Sequence, residues 1–491
     1  MAIQFKSINK NRFTTIAMAI SLVFTLFQTP QANSAPDLSG TQVFSSEKIS
    51  TTTLNGTVTS YLQTFRPSAD IWITAVFPTG VIAKSVIGET SEINLSGNYA
   101  QLRITLPKSL NFSDLNKKIL SIVDDSGVVI FNLIQNPLDL PTATFEGNVG
   151  ELKKLNYLLT PAITNGSYNL AIQNGEIVYF EKFSNFVLGF RKINEANYNL
   201  ASGRATYAYL EKVELNRPNY TPGKWRFLNK DFELVGKVST LNIMGTTVYP
   251  EGHGITVSPS GTPVVMSYLP RKVDTSWVTK IKGSTILDCV FSQVQSGKSL
   301  KNFSLWDWAN THRDTYNSII SAGDQAIDAT RKDQAVDFCH VNSLVYSKVL
   351  NSYIASFRSL DLILVIDSKL QKVTAELYAP GARQHFARVK SATEITSLEN
   401  YTGEKVSKFA SWKLIDGKWK LFETDLTVML PYCGNAQYVA SNSIWVGGGC
   451  VNFDNGTTGI YYSLAGNKVS EIGRLKLIGS TGTYRADLFT P

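Results

Sequence analysis

The sequence predicts an all-β protein, a small β-sandwich followed by a β-propeller. Three observations lead there. Short apolar runs alternate with period two from about residue 40 onward, NG, SG and DG turns separate them, and beyond residue 150 an apolar strand–turn–strand theme recurs about five or six times. Period-two alternation puts successive side chains on opposite faces of a sheet, and evenly spaced units of this kind suit four-stranded blades.

The first 34 residues fall outside this pattern. Lys6, Lys10 and Arg12 precede an apolar run from Ile16 to Phe27, and a small polar tail, QANSAP, follows. Basic, apolar and small in that order is the layout of a secretory signal peptide, with cleavage expected after Ser34. The apolar run is too short for the roughly 20 residues that span a bilayer. The formal charge is +8, and without those three basic residues it is about +5. No basic run is interleaved with aromatics, so nucleic acid is not an expected partner. No later stretch is apolar enough to span a membrane, and the localisation expected is periplasmic or secreted.

Residues 35–140 carry the sandwich pattern: DIWITAVF, YAQLRITL and ILSIVDDSGVVIFNLI, separated by PTG, SGN and DDSG turns. NPLDLPTA, residues 136–143, has two prolines and reads as a linker. The propeller is expected over 141–491, from SYNLAIQNGEIVYFEKF through FASWKLIDGKWKLFETDL to NAQYVASNSIWVGGGCVNF. One segment, Ala309–Ala335, lacks alternation and is rich in Asp and Ala, so it reads as a partly helical insertion (309–335) over one face.

Four cysteines, Cys289, Cys339, Cys433 and Cys450, allow three pairings, which sequence does not decide. Two strand-like runs between Cys433 and Cys450 suit a hairpin closed by that pair. Cys339 stands beside His340, but a nucleophilic thiol needs its own base and an exposed position, and a disulfide to Cys289 is the simpler expectation. No CxxC or HxxxH spacing supports a zinc site, so no metal is expected.

The chain has four histidines. His312 lies in the insertion and reads as an exposed polar side chain. The other three share a context, each just before a strand–turn–strand: His253 in EGHGITVSPSGTPVVM, His340 in DFCHVNSLVYSKVL and His385 in GARQHFARVKSATEITSL. Equivalent positions of successive blades converge on the propeller axis, so these imidazoles are expected to meet at one channel mouth, where titratable clusters mark functional sites.

The order GHGI…SPSGTPVVM, ILDCVFSQV with LWDW, CHVNSL with SFRSLDLILVID, then RQHFARV, resembles the bacterial arylsulfotransferases over roughly 150–491. The resemblance implies a six-bladed β-propeller preceded by a β-sandwich. It further implies PAPS-independent transfer of a sulfuryl group from an aryl sulfate to a phenolic acceptor. By position it implies His385 as the residue that takes the sulfuryl group covalently, with His253, His340 and Arg358 around the transferring group. Asn342 and Arg383 are then substrate-binding candidates, and no cofactor is called for. Gly254 and Phe386 depart from the family pattern, and a turn expected after the third histidine appears as LENYTG, Leu398–Gly403.

Two other readings stay open. One is a non-catalytic β-propeller that binds an aromatic, a glycan or a protein. The other is a propeller hydrolase with a channel cation, for which Glu251 and Asp337 are the nearest carboxylates. Donor, acceptor and homo-oligomer formation are not specified by the sequence.

Overall fold

In a computed structural model, residues 139–489 are described except 194–198, 201–202, 214–220, 282, 324–325, 328–333, 401–405, 431 and 451–455; Pro137 and the strands between 42 and 134 are described too. The expected signal peptide lies outside the described residues. The fold is all-β, with its sheets in a propeller arrangement. The strands between 42 and 134 form one four-stranded and one five-stranded sheet, except Thr64–Phe65, which pairs with Glu176–Phe183.

From residue 142 the chain builds sheets in sequence order. The first holds Tyr157–Ile163, Gly166–Gln173 and Glu176–Phe183; the second Val187–Lys192, Tyr207–Lys212, Gly223–Leu228 and Leu234–Val238. The third holds Ile255–Val257, Pro263–Lys272, Thr285–Gln295 and Lys298–Ser304. The fourth runs from Val341–Ser347 to Val373–Tyr378, the fifth from His385–Ser391 to Lys418–Asp425, and the sixth from Asn435–Ala440 to Lys468–Ile478. In each, these strands form an antiparallel meander, and in all but the first sheet the first of them ends the strand order. Tight turns with left-handed residues, such as Asn174–Gly175 and Asp416–Gly417, join neighbours as the NG and DG pairs predict.

Both chain ends lock this arrangement. Gly482–Leu488, near the C-terminus, pairs with Tyr157–Ile163 at the inner edge of the first sheet, and Thr142–Gly147 pairs with Lys468–Ile478 at the outer edge of the sixth. Closure removes sheet edges that would otherwise offer unpaired backbone groups. Trp445, fully buried, seals the join: its ring lies 5.1 Å from that of Tyr157 and its Nε1 donates to the Ala486 carbonyl at 2.7 Å.

The core lies between sheets rather than at one centre. Trp225 and Phe227 of the second sheet pack with Val257 and Val265 of the third, and Ile354 and Ile363 of the fourth pack with Ile395 and Trp412 of the fifth. Each such side chain contributes about 1.5–3 kcal/mol on burial. Helices cover Leu305–Asn310 and Arg313–Ala322, within and just before the segment read as an insertion. Tyr316 anchors the second helix on the fourth sheet by donating to Glu376 Oε2 at 2.5 Å. Cys289 is bonded to Cys339 and Cys433 to Cys450.

Candidate active site

The three histidines stand at equivalent places in three consecutive sheets. His253 precedes the first strand of the third sheet, His340 that of the fourth, and His385 opens that of the fifth. The His253 and His340 rings meet edge to face at 65°, centroids 5.7 Å apart, and Tyr484 approaches His253 at 5.2 Å. His385 is near enough to Arg358, Arg485 and His340 for their positive charges to weigh on its protonation. His312 is exposed, and its Nδ1 lies 3.0 Å from the Trp308 carbonyl, apart from this cluster.

Each imidazole is oriented by a different partner. The buried Glu251 accepts from His253 Nδ1 and from the His253 and Thr221 backbone N–H groups, at 2.6 and 3.0 Å. Asp337 does the same for His340: Oδ2 lies 3.2 Å from Nδ1, and Oδ1 accepts the His340 N–H at 2.9 Å. Among the described residues His385 has no carboxylate partner. Its Nδ1 faces Asn400 Oδ1 at 2.5 Å and the Arg383 carbonyl at 3.1 Å. The Asn400 amide is set in turn, because its Nδ2 donates to the Leu430 and Cys433 carbonyls at 2.5 and 3.2 Å. Both partners of His385 Nδ1 are acceptors, so Nδ1 carries the proton and Nε2 keeps its lone pair.

The electrostatics follow from these partners. Burial holds the His385 pKa well below the ordinary histidine value, and Arg358, Arg485 and His340 push it the same way. Burial lowers His253 too, against the opposing pull of Glu251. Glu251 ends below the usual carboxylate range: burial alone would raise it, but His253 and the backbone donors outweigh that. Rings with depressed pKa values make stability fall in acid. Above the unfolded value of 6.5 the rings are neutral in both states. Below it the unfolded chain takes up protons that the buried rings refuse. The thermal midpoint is therefore expected to drop more between pH 7.5 and pH 5.5 in the wild type than in His385→Asn, which calorimetry at the two pH values would check.

The remaining sequence candidates act largely through the backbone. Asn342 is fully buried; its Nδ2 donates to the Gln384 carbonyl at 2.6 Å, and its Oδ1 faces the Phe386 N–H at 3.5 Å, so it braces both neighbours of His385. The Arg383 N–H donates to Asp361 at 2.7 Å, and the Arg383 carbonyl faces His385. Arg358 opens a short 3-10 turn, with its N–H donating to the His340 carbonyl at 3.0 Å. His340, Arg383 and Phe386 all have positive φ, 41°, 46° and 54°, a conformation that costs non-glycine residues about 1–3 kcal/mol and that clusters at functional sites.

The two departures from the family pattern have physical reasons. A Cβ on Gly254 would lie 2.7 Å from the Leu344 backbone nitrogen, so no orienting side chain fits there, and Glu251 takes that role. The Phe386 ring forms a platform for guanidinium groups, with Arg485 at 4.1 Å and Arg388 at 4.3 Å. Asn400, Tyr484 and Arg485 lie outside the histidine pattern of the sequence. Arg485 is buried and donates to the His253 and Asn342 carbonyls, the first at 2.9 Å, tying the third and fourth sheets to the closing strand. Asn400 sits inside LENYTG, where the expected turn differs, and Tyr484–Arg485 lie in TYRADLF. Asn400 directly follows the strand Glu394–Glu399, whereas Tyr484 and Arg485 lie in the middle of the closing strand.

A family model described as Arylsulfotransferase (ASST) matches residues 174–385. No curated protein matches the chain. Among solved structures, virginiamycin B lyase from Staphylococcus aureus is 10% identical, with TM-score 0.30, over 81% of this chain and 99% of that one. A hydrazine synthase of Kuenenia stuttgartiensis is 10% identical, with TM-score 0.32, over 58% and 68%. Likenesses this distant carry no functional meaning. The family whose model matches residues 174–385 is the one that the histidine-bearing segments resemble.

Proposed function

We propose that this protein is an exported, PAPS-independent arylsulfotransferase that moves a sulfuryl group from an aryl sulfate to a phenol through a sulfo-histidine at His385. The family match suggests arylsulfotransferase activity. The observation that carries the mechanism is the difference in partners: two histidines rest on carboxylates and one on an amide. A carboxylate stabilises an imidazolium and suits a proton carrier. An amide oxygen fixes the tautomer without adding charge, so His385 stays neutral with Nε2 free, the form a nucleophile requires.

In the first step His385 Nε2 attacks sulfur as the bond from sulfur to the aryl oxygen breaks. The leaving phenolate takes a proton from the imidazolium of His340, or from His253 only in the protonated form that burial disfavours. In the second step the acceptor phenol returns a proton to that ring as its oxygen attacks sulfur and the N–S bond breaks. Negative charge on the peripheral sulfuryl oxygens is met by the positive charges of the half-buried Arg358 and the buried Arg485. Asn342 and Arg383 position His385 from either side. No step calls for a metal or cofactor.

Six sheets, closed by the last strand, support a six-bladed propeller, and the two sheets between 42 and 134 support the preceding sandwich. Two disulfides fit the oxidising compartment implied by the signal peptide. The described residues contain no helix long and apolar enough to cross a membrane. The test is a transfer assay with 4-nitrophenyl sulfate as donor and a phenol as acceptor, without PAPS. Release of 4-nitrophenolate that depends on acceptor, with sulfated phenol as product, is expected. Intact donor over a range of acceptors would favour the binding-module reading.

A further inference from the structure

Further along the same inner strands, past Phe386, lies a cavity of about 550 Å³ that the transfer scheme does not use. Its cationic wall is Arg191, Lys192 and Arg388, against a single lining carboxylate, Asp487. That carboxylate is already committed, accepting from Arg388 and from Asn435 Nδ2, both at 2.7 Å. Arg191 is 5% exposed, and its guanidinium donates only to the Gly189 and His253 carbonyls, at 3.1 and 3.3 Å. No carboxylate pairs with it among the described residues. Arg388 Nε is buried without a hydrogen-bond partner. A buried guanidinium hydrogen-bonded to neutral carbonyls, with Asp487 acting on it only at a distance, is costly, and an arriving anion would offset that cost with charge-assisted hydrogen bonds.

The other walls are not built for a bare inorganic ion. Phe386 presents its ring, with Arg388 stacked at 4.3 Å, and Val345, Val439 and Leu488 supply apolar surface. The volume lies within the range of pockets that hold small organic ligands. We propose that this end of the inner strands is a second binding site, for an organic anion with an aromatic body and a sulfonate or carboxylate head. The head meets Arg191 and Arg388, and the body lies along Phe386 and the valines. The site holds whether or not the histidine end transfers sulfate, because it shares no proposed catalytic residue with it.

The test is calorimetric titration of 2-naphthalenesulfonate into the full chain, with inorganic sulfate and 2-naphthalenemethanol as comparison ligands. Saturable binding of the sulfonate is expected, at least about 10-fold tighter than either comparison ligand. Val439→Trp, which fills the cavity at a half-buried rim position, should weaken that binding by about 10-fold or more, and Lys192→Glu by several-fold. His385→Asn should leave it in place. Absence of binding in the wild type would overturn the proposal, as would unchanged binding in both cavity variants, equal binding of the neutral alcohol, or loss confined to His385→Asn. If Val439→Trp does not fold, Lys192→Glu decides.

Discussion

Replacing His385 by asparagine is expected to abolish sulfuryl transfer, lowering turnover by at least about 10⁴-fold, because no second group offers an unprotonated nitrogen at that point. The fold should survive. His385 makes its hydrogen bonds through Nδ1 to groups at the start of one strand, and the variant amide can donate to the same Asn400 and Arg383 oxygens. Steady-state assay with an aryl sulfate, alongside circular dichroism and a thermal scan, separates the two effects. Turnover near the wild-type value in a folded variant would remove His385 from the chemistry.

The second large effect is expected at a residue outside the histidine pattern. Asn400→Leu should reduce transfer by about 10³-fold or more, since loss of the acceptor lets the ring change tautomer and lose its orientation. KM for the donor should change far less than kcat, because Asn400 is buried behind the ring and reaches Nδ1 rather than the face open to substrate. Asn400→Asp separates charge from orientation. It keeps an acceptor at Nδ1 but adds a negative charge that draws the His385 pKa upward, so the variant should recover part of its activity only as pH rises. A parallel fall in the Asn400→Leu and Asn400→Asp pH profiles, with no difference between them, would reduce Asn400 to a structural role.

The fold was legible in the sequence because strand–turn–strand alternation and NG or DG turns are local signals, and the structure places left-handed residues at those turns. The histidine placement was legible for a related reason: three of four histidines recur at one phase of a repeat, and repetition carries a one-dimensional phase into a shared location. What stayed hidden depends on closure. Tyr484 and Arg485 reach the site only because the last strand pairs with Tyr157–Ile163, a contact between residues more than 300 apart in sequence. Asn400 was hidden because its turn departs from the expected pattern. Glu251 and Asp337 were visible, two and three residues before their histidines, but their proximity was read towards a bound cation. The structure turns them to the imidazoles. Cys339 is bonded to Cys289, the simpler expectation from sequence, so no free thiol stands beside His340.

The central claim is that sulfur rests on His385 between the two half-reactions. Incubation of the purified chain with 4-nitrophenyl sulfate and no acceptor, followed by mild digestion and peptide mass spectrometry, tests it most directly. The account predicts one sulfuryl adduct on the peptide containing His385, discharged when a phenol is added and absent from His385→Asn. Sulfated phenol formed in the full assay with no adduct on that peptide, or with an adduct on His253 or His340 instead, would contradict it.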